Sequence, residues 1–437
     1  MGELPIGWEL KTLEEIVVDE YGLVDGPFGS NLRASEYTEF GVPVIRGSNL
    51  SLGTSYFVDN EFVFVSEAKA EELARSNCFA EDIVFTKKGT LGQTGIIPKN
   101  HYFEKFVLSS NQMKMTVDKS IADPYFVYYY VSSSASVEKI KRDAESTGVP
   151  KTNLAYLRTF PITLPPLDEQ RAIADILGSL DDKIEANRRQ NETLEATARA
   201  IFKSWFVDFD PVHAKANGEV PIVIDTETAD LFPDSFEDSE LGMIPSGWRV
   251  GTLGEIAENP RRGIQPEDLP ENTLYVGLEH IPRESLALSE WGLAEDVNSN
   301  KYQFNDGEIL FGKLRPYFHK VVVAPIDGIC STDILVISSI EDIFYGLAVM
   351  YLSSTSVIEY ATRISTGTRM PRANWKNLSQ YPIVLPSYEL LEIYNATIFP
   401  ILDQICQSVH QSRTLAETRD ALLPKLVSGE LRVGELE

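Results

Sequence analysis

Between Thr86 and Gly95 the chain reads TKKGTLGQTG, which sets Lys87, Lys88, Thr90, Gln93 and Thr94 among the glycines Gly89, Gly92 and Gly95. Ammonium groups neutralise phosphate, amides and hydroxyls match the donors and acceptors on base edges, and glycine lets backbone come close to a polyanion. Upstream, IRGSN adds Arg46, Ser48 and Asn49 to the same chemical class. Much later, FGKLRPYFHK carries Lys313, Arg315, Tyr317 and His319, and Arg369 and Arg372 follow beside a Ser-Thr-Gly turn. The two main stretches align through DIVFTK and EILFGK, so cations and donors recur at one address while the side chains differ. Each residue taken singly is equally well explained as the solvated end of a hairpin. Their recurrence points to two surfaces that read nucleic-acid bases through different contacts.

Catalytic patterns are weaker. LPPL at Leu164 lacks the acid or amide of an amino-methyltransferase loop, and DPY at Asp123 is one proline short of it. FGKLRP at Phe311 has leucine where a phosphate-binding loop needs its metal-bound hydroxyl. Asp59 with Glu67 and Lys69 resembles the acid-acid-lysine cluster of metal-dependent nucleases, yet Glu-X-Lys is common on solvated helix faces. Cys78, Cys330 and Cys406 are far apart, and the five histidines form no ligand-spaced pair, so neither a disulfide framework nor a zinc site is supported. The expectation is a chain without chemistry, metal or cofactor of its own.

The elements that position these residues are written twice. STGVPKTNLAYLRTFPITLPPLDEQ from Ser146 returns as STGTRMPRANWKNLSQYPIVLPSYEL from Ser365; Asn153 pairs with Asn374 and Leu164 with Leu385, an offset of 385 − 164 = 221. LPIGWELKTLEEI from Leu4 is echoed by IPSGWRVGTLGEI from Ile244, with Trp8 answering Trp248. A self-similarity of this length means one structural unit used twice. Within each unit, short β-rich runs such as DIVFT, FVLSSNQMKMTV, EILFG and DILVISS, broken by Gly, Asp and Pro, predict a mixed α/β domain with one curved sheet and few helices. The aromatic run DPYFVYYYV is read as core rather than as a stacking platform, because its counterpart EDIFYGLAVMYLSS is equally apolar.

After each Pro-rich stretch comes a heptad pattern. In the first copy it runs through Ile173, Leu177, Leu180, Ile184, Asn187, Asn191, Leu194, Ala198, Ile201 and Trp205. Adding 221 gives Tyr394, Ile398, Ile401, Ile405, Ser408, Ser412, Leu415, Arg419, Leu422 and Leu426, with the same polar interruption at the centre. Two such helices pairing antiparallel would set Asn187 and Asn191 opposite Ser408 and Ser412 and fix the register. The span from Ile173 to Trp205 rises about 50 Å at 1.5 Å per residue. The predicted boundaries are a first recognition domain over 1–160, a central helix over 165–207, an acidic linker over 208–240, a second domain over 241–382 and a C-terminal helix over 388–432.

A formal net charge of -26 runs against nucleic-acid binding, but from Asp208 to Glu240 ten acidic residues face one lysine, so much of the excess sits in one connector. At 437 residues the chain is long enough for two domains. No run of about 18 apolar residues suits a membrane span and no basic, apolar leader opens the chain, so a soluble cytoplasmic protein is expected.

The openings GWELKTLEEI and GWRVGTLGEI, the stretch DGPFGSNLRASEYTEFGVPVIRGSNL and above all PITLPPLDEQRAIADILGSLDDKIE resemble the specificity subunits of type I restriction-modification enzymes, over nearly the whole chain. The second copy departs from that pattern, with LPSYELLEI in place of LPPLDEQRAI. The resemblance implies two target-recognition domains, each reading one half of a split site in double-stranded DNA. It also implies long helices that set the spacing and dock two methyltransferase subunits and, through them, restriction subunits. S-adenosylmethionine, ATP and magnesium would belong to those partners, in DNA modification and defence against foreign DNA. A coiled-coil interaction scaffold without sequence reading is the competing class; it has no need for two divergent domains on matched helices.

Overall fold

The computed structural model describes residues 4–59, 61–144, 152–221, 224–295 and 297–435. The STGVPK stretch that opens the first repeat copy falls, in its residues 146–151, outside them. The chain forms two compact units, one of residues 1–184 with 414–437 and one of residues 185–413.

The first unit holds a four-stranded antiparallel sheet in the order Leu23–Asp25, Gln112–Met115, Ile83–Thr86, Thr94–Ile96. Its second sheet runs Tyr37–Thr38, Val63–Val65, Val42–Ile45, Phe106–Leu108, Asn77–Cys78, with the pair 42–45 and 106–108 parallel. The second unit repeats the first arrangement with Ala257–Glu258, Ile334–Ser339, Ile309–Gly312 and Val321–Val323. Its other sheet runs Gly263–Ile264, Lys301–Phe304, Gly328–Cys330, Leu274–Val276, Gly292–Leu293, again around one parallel pair, 274–276 with 328–330. Four of these five strands correspond between units. The fifth lies on opposite edges, beside 63–65 in one unit and beside 301–304 in the other.

Two larger sheets in each unit stand where the sequence suggested one curved sheet, and burial explains the difference. In Ile83–Thr86 the side chains alternate between layers: Ile83 and Phe85 join the core under the helix Pro124–Ser132, whereas Val84 packs with Ile45 and Leu108 of the other sheet. Ile309 and Phe311 against Leu310 repeat the alternation. A strand covered on both faces reads as a continuous apolar run and gives no sign of which sheet lies on which side. The aromatic run is core, with Tyr128 and Tyr129 buried.

The openings and the Pro-rich stretches recur together because they are hydrogen-bonded partners. Glu9–Thr12 pairs antiparallel with Pro161–Leu164, and Arg249–Thr252 with Pro382–Leu385. Leu13 N then donates to Phe160 O and Leu253 N to Tyr381 O, closing each unit where its long helix begins. Those helices are Leu167–Phe206 and Tyr388–Ser428.

Of the seam residues in the first unit, Ile173, Leu177 and Leu426 are buried and Leu180, Ile184, Leu415 and Leu422 half-buried. In the second unit Asn187, Asn191, Trp205, Ile398, Ile405 and Ser408 are buried, with Leu194, Ile201, Ile401 and Ser412 half-buried. Asn187 Nδ2 donates to Ser412 Oγ at 3.1 Å and to Gln411 Oε1 at 2.9 Å, as antiparallel pairing requires. The other predicted cross-pair is different: Ser408 Oγ accepts from Gln404 of its own helix at 3.3 Å, and Asn191 Nδ2 turns to Ile405 O at 3.3 Å. That leaves Asn191 Oδ1 buried without a hydrogen bond among the described residues.

Candidate nucleic-acid interface

The candidate residues sit where the doubly buried strand of each unit emerges. In the first unit Lys87 N donates to Asn111 O at 2.7 Å and Lys87 O accepts from Thr152 N at 2.9 Å. In the second, Lys313 N donates to Asp333 O at 3.0 Å and Lys313 O accepts from Ala373 N at 3.0 Å. Thr86 N to Gln93 O and Gly312 N to Lys320 O close the two hairpins. Sequence alignment through DIVFTK and EILFGK thus corresponds to one backbone frame used twice.

In the first frame Lys88, Thr90 and Ser48 are exposed, and Lys87, Gln93 and Arg46 half-buried. Lys87 Nζ lies 2.8 Å from Asp25, and Gln93 Nε2 donates to Leu50 O at 3.2 Å. Arg46 Nη2 donates to Glu61 O at 2.6 Å, while its Nε is buried without a partner among the described residues. Two expected base readers are instead supports. Asn49 is 0% exposed, its Oδ1 accepting from Arg46 N at 2.9 Å and its Nδ2 donating to Val58 O at 3.0 Å. Thr94 is likewise buried, its backbone exchanging bonds with Ser51 at 2.9 and 3.2 Å. The Asn49 amide is consumed in holding the loop, and the Thr94 hydroxyl is buried with no hydrogen bond among the described residues, so neither is presented to a groove.

The second frame is more cationic. Arg369 and Tyr317 are exposed; Lys313, Arg315, His319 and Arg372 are half-buried. Arg315 N donates to Pro371 O at 2.8 Å and its Nη2 to Arg369 O at 3.3 Å, so the hairpin and the 366–373 loop form one surface. Arg372 is bidentate on Asp333, at 2.8 and 3.3 Å, which raises its pKa and makes it a brace. Burial pulls the Lys313 ammonium below its ordinary value; Asp333 opposes this, and Arg372 and Arg261 add to it. Tyr317 meets Phe318 edge-on at 4.9 Å, with the Arg283 guanidinium 4.4 Å from the Phe318 ring centre. His319 places a ring nitrogen 2.8 Å from Ser353 O.

Sequence reading missed Arg261 and Asp25. Asp25 ends the outer strand of the four-stranded sheet and Arg261 follows its counterpart, so that the first unit brings an acid to Lys87 and the second brings Arg261 toward Lys313. Arg261 is exposed, its backbone left-handed at φ 49, and its Nε donates to Asn259 Oδ1 at 3.0 Å. The pair of arginines after Asn-Pro in ENPRRG was the available signal. The nuclease-like trio does not assemble: Lys69 pairs with Glu36 and Glu72, and Glu67 with Lys105. Among the described residues no group of three or more His, Cys, Asp or Glu is placed to hold a metal. Cys78, Cys330 and Cys406 are free thiols.

LDEQ, the most specific motif, is used internally. Gln170 is buried, its Oε1 accepting from Asp123 N at 2.9 Å and its Nε2 donating to Pro165 O at 2.9 Å. Glu169 holds Arg432 at 2.6 and 2.8 Å. The second copy sets buried Leu390 and Leu391 at these positions, packed in its apolar core.

Comparison with known proteins agrees with this architecture. The family model described as type I restriction modification DNA specificity domain matches residues 5–196 and 245–417. The chain is 26% identical to the type I restriction enzyme MjaIX specificity subunit of Methanocaldococcus jannaschii, covering 100% of this chain and 96% of that one. It is 23% identical to the EcoDI specificity subunit of Escherichia coli, covering 98% and 90%. The crystal structure of a type I restriction-modification S subunit from M. genitalium shares the fold, with a TM-score of 0.54 at 16% identity over 96% of each chain. Two copies of one specificity domain, each with its own cationic hairpin, therefore identify the chain as a member of the type I restriction-modification DNA specificity family, the non-catalytic sequence-recognising subunits of these systems.

Proposed function

We propose that each unit reads one half of a bipartite duplex target, and that the long helices set the gap and dock two methyltransferase subunits, to which restriction subunits attach. The observation that carries the reading is the repeated backbone frame at Lys87 and Lys313, filled with different side chains. Two domains that read different half-sites need a constant support and variable contacts. Local cations at these ends answer the overall negative charge, since phosphate contacts depend on the local field. The helices' length suits two short specified blocks with centres on the order of ten to fifteen base pairs apart. Catalysis, with S-adenosylmethionine, ATP and magnesium, belongs in this reading to the partner subunits, and the setting is the cytoplasm. No described helix is long and apolar enough to cross a membrane.

Genome-wide mapping of methylated adenines in cells with and without this chain tests the proposal. A two-block motif should vanish when the chain is removed. Persistence of the motif, or retention on duplex DNA with no sequence preference, would favour an interaction scaffold instead.

A further inference from the structure

In the second unit the long helix carries a carboxylate that its own packing does not require. Glu195 is buried, yet its counterpart in the repeat is Ala416 (195 + 221), so a helix of this design folds with a methyl group there. Burying a carboxylate is unfavourable unless partners compensate. Here one partner, Arg199, lies on the same helix and the other, Ser285, outside it. Ser285 Oγ donates to Glu195 Oε1 at 2.7 Å; Arg199, 3.0 Å from Glu195 Oε2, donates to Glu284 O at 2.7 Å.

From the segment 283–285 the contacts pass to the candidate hairpin. Glu284 N donates to His319 O at 2.8 Å, and the Arg283 guanidinium lies 4.4 Å from the Phe318 ring centre. Glu284, Arg315 and His319 all hold left-handed backbone, at φ 57, 49 and 51. Non-glycine residues keep that strained conformation only where the surroundings over-determine it. The turn Pro316–Phe318 lies between two of these residues, so its shape depends on what holds them.

We propose that Glu195 and Arg199 are positioning residues for base recognition by the second unit. They act through Arg283, Glu284 and Ser285 as a strut that fixes the Arg315–His319 turn against the long helix. The proposal rests on the reading that this turn contacts DNA. It adds that the helix aims the turn as well as spacing the units.

The test uses the complex with its methyltransferase subunits and duplexes changed one base at a time in either half-site. Glu195→Ala should cut discrimination about tenfold, the scale of one base contact, and only in the half that Arg369→Ala also affects. Ser285→Ala, which leaves the helix untouched, should act in the same direction. Glu195→Gln, which keeps an acceptor for Ser285, should recover most of the loss. Unchanged discrimination in Ser285→Ala, equal loss in both halves, or a Glu195→Gln variant as poor as Glu195→Ala would overturn the strut while leaving the two-half reading intact. A wild-type complex with no half-site preference would remove the reading and the strut together.

Discussion

The first unit ties its long helices to its hairpin through a buried ion pair, and the second does so through a helix-to-loop strut. In the first, Asp181 and Arg419 meet at 2.6 Å, Tyr129 Oη donates to Asp181 at 2.7 Å and lies 2.8 Å from Tyr56 Oη, whose hydroxyl is left to donate to it, and Arg419 Nη1 donates to Thr54 O at 3.3 Å. Loop 51–56 then joins the hairpin, by Ser51 with Thr94 and by Ile96 N to Tyr56 O at 2.9 Å. The repeat-related positions in the second unit are Leu402 (181 + 221) and Ala198 (419 − 221), both buried and apolar. The same helices therefore cohere with or without that pair. Its particular contribution in the first unit is to hold a loop in one place.

This comparison makes the largest predicted effect a test of cohesion against aim. Arg419→Ala leaves Asp181 buried beside two tyrosines and should destabilise the first unit by about 3–5 kcal/mol, read by urea unfolding with hydrogen exchange assigned to each unit. Replacing the pair together, Asp181→Leu with Arg419→Met, should restore most of that stability, as the Ala198 and Leu402 positions lead one to expect. A double variant as unstable as Arg419→Ala would mean that the two units do not share one packing scheme.

A smaller effect separates the two seam asparagines. Asn191→Leu removes a buried acceptor with no partner and should raise stability by about 1 kcal/mol, whereas Asn187→Leu strips Ser412 and Gln411 of their donor and should not. Equal gains would show the register to be held by apolar packing alone. Smaller still, Lys88→Ala should weaken binding to all sequences alike and reduce the salt slope by about one. Loss confined to one half-site would make that lysine a base reader.

The pH dependence should differ between the frames. A cation whose pKa is lowered in the complex-forming surface loses charge at a lower pH than an ordinary lysine near 10.4. Lys313, depressed first by burial, should therefore make recognition by the second unit weaken earlier on the alkaline side. Binding to duplexes carrying either half-site alone, measured across that range, checks it; parallel losses would count against the assignment.

Much of this was legible in the sequence because it depends on spacing. The 221-residue repeat located the paired opening and closing strands, and the heptads located both long helices with their polar centre. The sheet count was not legible, since Val84 and Leu310 face a second layer that a continuous apolar run does not declare. At the candidate site, residue type placed Lys88 and Arg369 on the surface correctly but could not separate Asn49 from a reader, because its amide is consumed by Arg46 N and Val58 O. Asp25 and Arg261 are distant in sequence from Lys87 and Lys313, and only the sheet order brings Asp25 to Lys87 and Arg261 toward Lys313.

The central claim is that the two units read separate half-sites. It is tested most directly by the methylation rates of duplexes varied one half at a time, comparing the wild-type complex with Arg315→Ala. The account predicts that discrimination falls by about 1–3 kcal/mol in one half and is unchanged in the other; an equal fall in both halves would contradict it.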